Sequence, residues 1–192
     1  MKTTRFLLAI ALLLGGAPAA LGAPAGEIVS LAGKGEYRGL SAREWVPAKV
    51  RQALEGGSFV RTVATDAKMA VLLADRTQFT LQGVATAQVK DPVESTAGKS
   101  IVDMVKGTGR FQSKTPAKGF MVGTPSGLAA IRGTEWVIDV EDGRSVVTVV
   151  EGEVEVSNEY GNLTVLPDEQ AVLEKGKAPT KRRIQDARER VQ

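Results

Sequence analysis

The segment GTPSGLAAIRGTEWVIDVEDGRSVVTVVEGEVEVSNEYGNLTVLPDEQAVLEK, Gly123–Lys175, is built from Val- and Ile-rich runs broken at nearly even intervals. The breaks are the turn pairs Asp142-Gly143, Glu151-Gly152, Gly161-Asn162 and Asp168-Glu169. Apolar residues alternate within the runs, as in Trp136/Ile138/Val140, Val154/Val156 and Leu163/Val165. That period belongs to a strand with one buried face. Short strands punctuated this often predict an all-β body rather than alternating βα units. A twisted two-sheet sandwich and a short solenoid-like β stack both satisfy the pattern, and periodicity does not choose between them.

Toward the N-terminus the pattern continues through Glu27–Ala32, Phe59–Thr62, Met69–Leu73, Gln78–Leu81 and Gly83–Val89. Ile101–Val105 and Gly109–Gln112 read as a hairpin about Gly107. Asp91–Ser100, with Pro92 and Gly98, reads as a mobile polar loop. Ser41–Glu55 reads two ways. Ser41 and Glu44 resemble a capping box, yet Pro47 breaks a helix begun there. A short helix over Ala48–Glu55 and an irregular loop both fit. The tail over 176–192 is basic and helix-compatible, with Ile184, Ala187 and Val191 on one face. It is expected to be a short helical tail or a disordered end. Val60-Arg61-Thr62 followed by MAVLLADRTQFTL faintly echoes Ile131-Arg132-Gly133 followed by WVIDVEDGRSVVTV. Alternating β sequences resemble one another by chance, so the echo is weighed as chance.

The first 25 residues read as a leader. Lys2 and Arg5 precede the apolar run Phe6–Leu14, and A-x-A matches follow at Ala17-Pro18-Ala19 and Ala23-Pro24-Ala25. Cleavage is expected between Ala19 and Gly26, with Ala25 favoured. A membrane-spanning helix needs about 20 apolar residues, and this run meets Gly15, Gly16 and Pro18 first. No cysteine follows it, which excludes a lipoprotein. The expectation is a periplasmic or secreted protein that does not span the membrane. Its body is expected over 26–175.

The 192 residues include no cysteine and no histidine. Thiolate and imidazole chemistry therefore drop out, from Ser-His-Asp and Cys-His pairs to thiolate- or imidazole-bound zinc and haem. Paired carboxylates remain, with Asp139, Glu141, Asp142, Glu151, Glu153, Glu155 and Asp168 available by type. Asp139/Glu141 and Glu151/Glu153/Glu155 alternate with inward apolar residues, so a charged outer face outweighs a catalytic dyad. No calcium loop or phosphate-binding glycine motif is present. The reading is a non-enzyme with no catalytic residue, no metal site and no cofactor. Removing Lys2 and Arg5 leaves 23 basic against 22 acidic residues, which gives no concentrated basic face for nucleic acid. Trp136, mid-strand, is expected in the core. Trp45, in the irregular 39–47 segment, is the candidate partner contact.

Thr124-Pro125, Ile131-Arg132-Gly133-Thr134-Glu135-Trp136, Val149-Val150-Glu151-Gly152-Glu153-Val154 and Leu166-Pro167-Asp168-Glu169-Gln170-Ala171 together resemble the FecR-like domain. Trp136 stands where that family usually has Phe, and Asp168-Glu169 where its last glycine is usual. Trp45-Val46-Pro47-Ala48, Leu54-Glu55-Gly56-Gly57 and Ala70–Asp75 resemble its N-terminal strands. The motif residues Pro125, Arg132, Gly133, Thr134, Glu135, Trp136, Glu151 and Gly152 read as architectural: Gly133 and Gly152 suit positive φ, and Pro125 suits a strand entrance. The resemblance implies no catalytic site. Relatives of the iron-citrate regulator type tether this domain to a cytoplasmic anti-sigma segment, which this sequence does not carry. The implied function is an exported binding module acting by protein–protein contact in envelope sensing, signalling or assembly, with an exposed strand edge able to accept a partner's strand. The alternative is a carbohydrate- or cell-wall-associated module that uses Trp45.

Overall fold

The structure, a computed structural model, describes residues 24–90, 101–113, 120–132 and 135–188. The leader, the 91–100 loop, Gly133, Thr134 and Val191 lie outside the described residues. Sixteen strands run through the rest: β1 (Gly26–Ala32), β2 (Gly35–Arg38), β3 (Val46–Pro47), β4 (Ala53–Leu54), β5 (Phe59–Thr62), β6 (Lys68–Leu73), β7 (Gln78–Val89) and β8 (Ile101–Gln112), then β9 (Phe120–Thr124), β10 (Gly127–Ile131), β11 (Glu135–Glu141), β12 (Arg144–Glu151), β13 (Val154–Asn158), β14 (Gly161–Val165), β15 (Glu169–Glu174) and β16 (Thr180–Arg183). The all-β expectation holds. The sixteen strands form one continuous sheet that branches at β7 and β8 into two layers.

The bends fall in β7 and β8. Residues 78–82 of β7 pair with β6, and residues 85–88 pair with β5. β8 follows the same path, pairing with β11 through 107–112 and with β9 through 101–103. One layer therefore runs β4-β1-β6-β7-β8-β11-β12-β15-β16, and the other runs β3-β2-β5-β7-β8-β9-β10-β13-β14. Ile101–Val105 and Gly109–Gln112 are thus halves of one long strand and not a hairpin. Gly107, at φ 81°, is the bend between them. A Cβ there would lie 2.4 Å from the Val84 carbonyl oxygen, so the chain turns at that point only because no side chain is present.

The two halves share one plan. β5 pairs with β7 through Val60↔Ala87 and Thr62↔Ala85, and β10 pairs with β13 through Ala129↔Val156 and Ile131↔Val154. Each residue of the second set follows its counterpart by 69 positions, and so does Gly152 (φ 91°) relative to Gly83 (φ 64°). The sequence echo does not follow this register: it sets Val60 against Ile131 and Met69 against Trp136, offsets of 71 and 67.

The interior is one continuous apolar cluster that includes Ile28, Leu54, Val60, Met69, Leu81, Met104, Ile138, Val147, Val156 and Leu173. Its centre is a ladder of rings on three adjacent strands. Phe111 lies opposite Phe79 in one register and opposite Trp136 in the other. The rings stack at 5.6 and 5.3 Å, and Phe120 from the second layer closes on Phe111 and Trp136 at 6.2 and 6.1 Å. Such pairs add about 0.5–1.5 kcal/mol each beyond area burial.

The tail differs from expectation. Residues 180–183 form β16 on the edge of β15 rather than a helix. An isolated helix this short is marginal, whereas β15 offers unpaired backbone groups. Lys181 reinforces the strand by donating to Glu169 Oε2 at 2.8 Å and to the Thr164 carbonyl of β14 at 2.9 Å. It thereby ties the two layers together at this end. Beyond the strand, Asp168 accepts from Ile184 N through its carbonyl and from Ala187 N through Oδ1. The 48–55 segment is likewise not helical: it crosses between layers, with Ala48 N bonded to Gly35 O and Arg51 N to Ile28 O.

Candidate functional site: family motif and interaction surfaces

Six of the eight motif residues lie among the described residues. Thr124 and Pro125 shape the turn from β9 to β10. Pro125 sits within that turn rather than at a strand entrance, and its ring pre-sets φ for a first turn position. Thr124 Oγ1 accepts from Ser126 N at 3.3 Å and donates to Gly127 O at 3.0 Å. Arg132 contributes backbone, donating its N–H to Glu153 O. Glu135 accepts from the Arg110 guanidinium and from Gln112 on the outer face of the first layer. Trp136 is fully buried in the ring ladder. Its indole Nε1 meets no acceptor among the described residues. Glu151 is exposed, and Gly152 makes the positive-φ step from β12 to β13. Asp168, in place of the family's usual glycine, also takes a left-handed conformation at φ 61°. Asp tolerates this better than most residues, and its bonds to the tail fix it there.

Two of the candidate carboxylates, Asp139 and Glu141, line the same cleft. Asp139 and Glu141 ride on one strand and face outward, with Ile138 and Val140 inward. With Thr108, Arg144, Gln170 and Arg182 they line a polar cleft of about 320 Å3 on the first layer. Asp139 Oδ1 accepts the Thr108 hydroxyl at 2.6 Å, and Arg182 donates twice to the buried Gln170 amide oxygen. Gln170 Nε2 donates a hydrogen bond to Thr148 Oγ1 at 3.1 Å. Thr108, Asp139, Thr148, Gln170 and Arg182 are thus bonded to one another in pairs or chains on this face. Among the described residues no group of three or more acidic side chains is placed to hold a metal, and no helix is long and apolar enough to cross a membrane.

Trp45 is half-buried at the opposite end of the molecule, beside β3. Register puts Glu36 and Arg38 of β2 beside Arg61 and Phe59 of β5. The Arg61 guanidinium lies 4.1 Å from the Trp45 ring centre and is neutralised by Glu36. Arg38 lies 4.4 Å from the Phe59 ring and 5.0 Å from Trp45. Trp45 and Phe59 meet edge-on at 6.4 Å. Sequence reasoning found Trp45 but not the two arginines, because only the β2–β5 register brings residues 23 positions apart into one cluster. An apolar depression of about 560 Å3 at the β3 edge is lined by Val46, Pro47, Lys49, Val50, Arg51 and Gln52; Val46 lies opposite Tyr37, on the other face of β3 from the arginine cluster.

The described residues form a nearly all-β module with essentially no helix. A family model described as FecR protein matches residues 59–155, and the chain belongs to the FecR family. Two crystal structures of a "putative anti-sigma factor" from Parabacteroides distasonis ATCC 8503, at 2.50 and 1.65 Å, share the fold. Their identities to this chain are 24% and 25%, each with a TM-score of 0.57. The matches cover 69% and 68% of this chain but 63% and 61% of theirs, so it spans less than two thirds of those relatives. No curated protein gives a significant match.

Proposed function

We propose that this chain is an exported recognition module of the cell envelope that acts by protein–protein contact in sensing or signalling, without catalysis of its own. The observation that carries this reading is the chain's membership of the FecR family. The likeness to proteins described as putative anti-sigma factors supports a signalling context. The leader supports export. Ala25 is 1% exposed, donates its N–H to Leu54 O and accepts from Ala74 N. A folded body that uses both backbone groups of Ala25 favours processing at Ala17-Pro18-Ala19 over cleavage after Ala25.

Contact through side-chain surfaces fits better than strand addition. β3 has two residues, one of them Pro47, and β16 presents Lys181, Arg182 and Arg183 along its edge. The glycan alternative is disfavoured at Trp45, where guanidinium groups already lie over the ring that a sugar would need. Fractionation of producing cells, followed by cross-linking on the intact envelope, tests the proposal. The expected result is periplasmic recovery and one discrete protein adduct. Cytoplasmic recovery, or adducts with peptidoglycan alone, would overturn it.

A further inference from the structure

The proposal that this module binds protein leaves the partner's chemistry open, and the β3 end of the molecule narrows it. The two ends of the molecule differ. At the β14/β16 end Lys181 spans both layers. At the β3/β4 end the outermost strands are two residues each, and the crossing segment between them forms the apolar depression. Leu40, Val46 and Val50 are 65%, 48% and 50% exposed there, a concentration of apolar surface in a short stretch of chain.

The charge around this surface is one-sided. Residues 34–51 carry Lys34, Arg38, Arg43, Lys49 and Arg51 against Glu36 and Glu44, in a chain whose basic and acidic residues are otherwise nearly matched. Glu36 is already committed to Arg61. Arg38 has no carboxylate within ion-pair range among the described residues. The Phe59 and Trp45 rings hold its guanidinium in place, so little conformational freedom is lost when it binds a carboxylate with both prongs. Arg38, Trp45 and the residues of the depression precede the matched part of the chain, residues 59–155, while Phe59 and Arg61 lie within it.

We infer that the Arg38–Trp45 cluster and the Val46–Val50 depression form a docking surface for an acidic, extended segment of a partner protein. A partner carboxylate pairs with Arg38, and an apolar side chain of the same segment, reaching past the β3 edge, fills the depression lined by Lys49 and Arg51. This inference rests on the protein-contact reading and specifies its partner. The apolar term supplies affinity, and the charge term supplies choice of partner and a salt-dependent association rate.

The test uses the whole chain and fluorescent peptides of alternating glutamate and valine or alternating lysine and valine, read by anisotropy at low and high salt. The expected result is binding of the glutamate peptide alone, weakened by salt and about tenfold by Arg38→Gln, as for loss of one charge-assisted pair. Val46→Glu should weaken it similarly, and Asp139→Asn, on the other layer's outer face, should leave it unchanged. Each variant's thermal midpoint shows that it is folded. Equal binding of both peptides, or indifference to both Arg38→Gln and Val46→Glu, would overturn the inference. So would Arg38-dependent binding of phosphatidylglycerol vesicles without peptide binding, or a wild-type dimer that Arg38→Gln dissociates. An envelope adduct formed from another face would remove this surface while leaving the protein-contact reading intact.

Discussion

Replacing Gly107 by alanine isolates the bend that lets β8 serve both layers. Two costs add there. The residue sits at φ 81°, where a side chain costs roughly 1–2 kcal/mol. The new Cβ would also lie 2.4 Å from Val84 O, 2.6 Å from Ala85 Cα and 2.7 Å from Ala85 Cβ, all parts that cannot swing aside. Forced overpacking of this kind costs about 1–3 kcal/mol more. Gly143, in the β11–β12 turn, is the matched control. Its φ is 71°, but a Cβ there meets nothing within 4 Å, so only the conformational cost of about 1–2 kcal/mol applies. Urea unfolding should therefore place Gly107→Ala about 2–5 kcal/mol below wild type and Gly143→Ala about 1–2 kcal/mol below, with unchanged slopes. If Gly107 were a hairpin turn, the two variants would match. Equal losses within about 0.5 kcal/mol would refute the two-layer path of β8.

Trp136→Ala should cost about 3–5 kcal/mol by opening the ring ladder, whereas Trp136→Phe, which keeps a ring and removes the unpartnered indole N–H, should stay within about 1.5 kcal/mol in the same assay. Hydrogen bonds from Lys181 and from the Leu166 backbone N–H hold the Glu169 carboxyl below its ordinary value of 4.5. Its contribution to stability is thus present above that value and fades as pH falls through the lower folded one. Glu169→Gln should accordingly flatten the acid limb of a melting-temperature profile, and an unchanged limb would argue against the pairing. Mass spectrometry of the exported protein should find Ala25 retained at or behind the new N-terminus; a chain beginning at Gly26 would contradict the role given to its backbone.

The strand content was legible because one buried face imposes period 2 on the sequence, from Ile28 to Leu173. Burial of Trp136 and the outward aspect of Asp139 and Glu141 follow from the same alternation. The path of β8 was not legible, because a glycine that bends a strand and a glycine that turns a hairpin leave the same mark between apolar runs. The tail misled for a different reason. KRRIQDARER has helical propensity, but an unpaired β15 edge and the Lys181 contacts are tertiary facts that local preference does not contain. The Arg38–Trp45–Arg61 cluster depends on register in the same way: alternation shows which residues share a face of one strand, not which strand lies beside it.

A photo-reactive residue in place of Val46, compared with one in place of Thr80 on the first layer, provides the most direct measurement. In irradiated, intact producing cells, position 46 should yield a single protein adduct in the envelope, lost with Arg38→Gln, while position 80 yields none. Absence of any protein adduct from position 46, or the same adducts from both positions, would mean that this end of the molecule is not where the protein meets its partner.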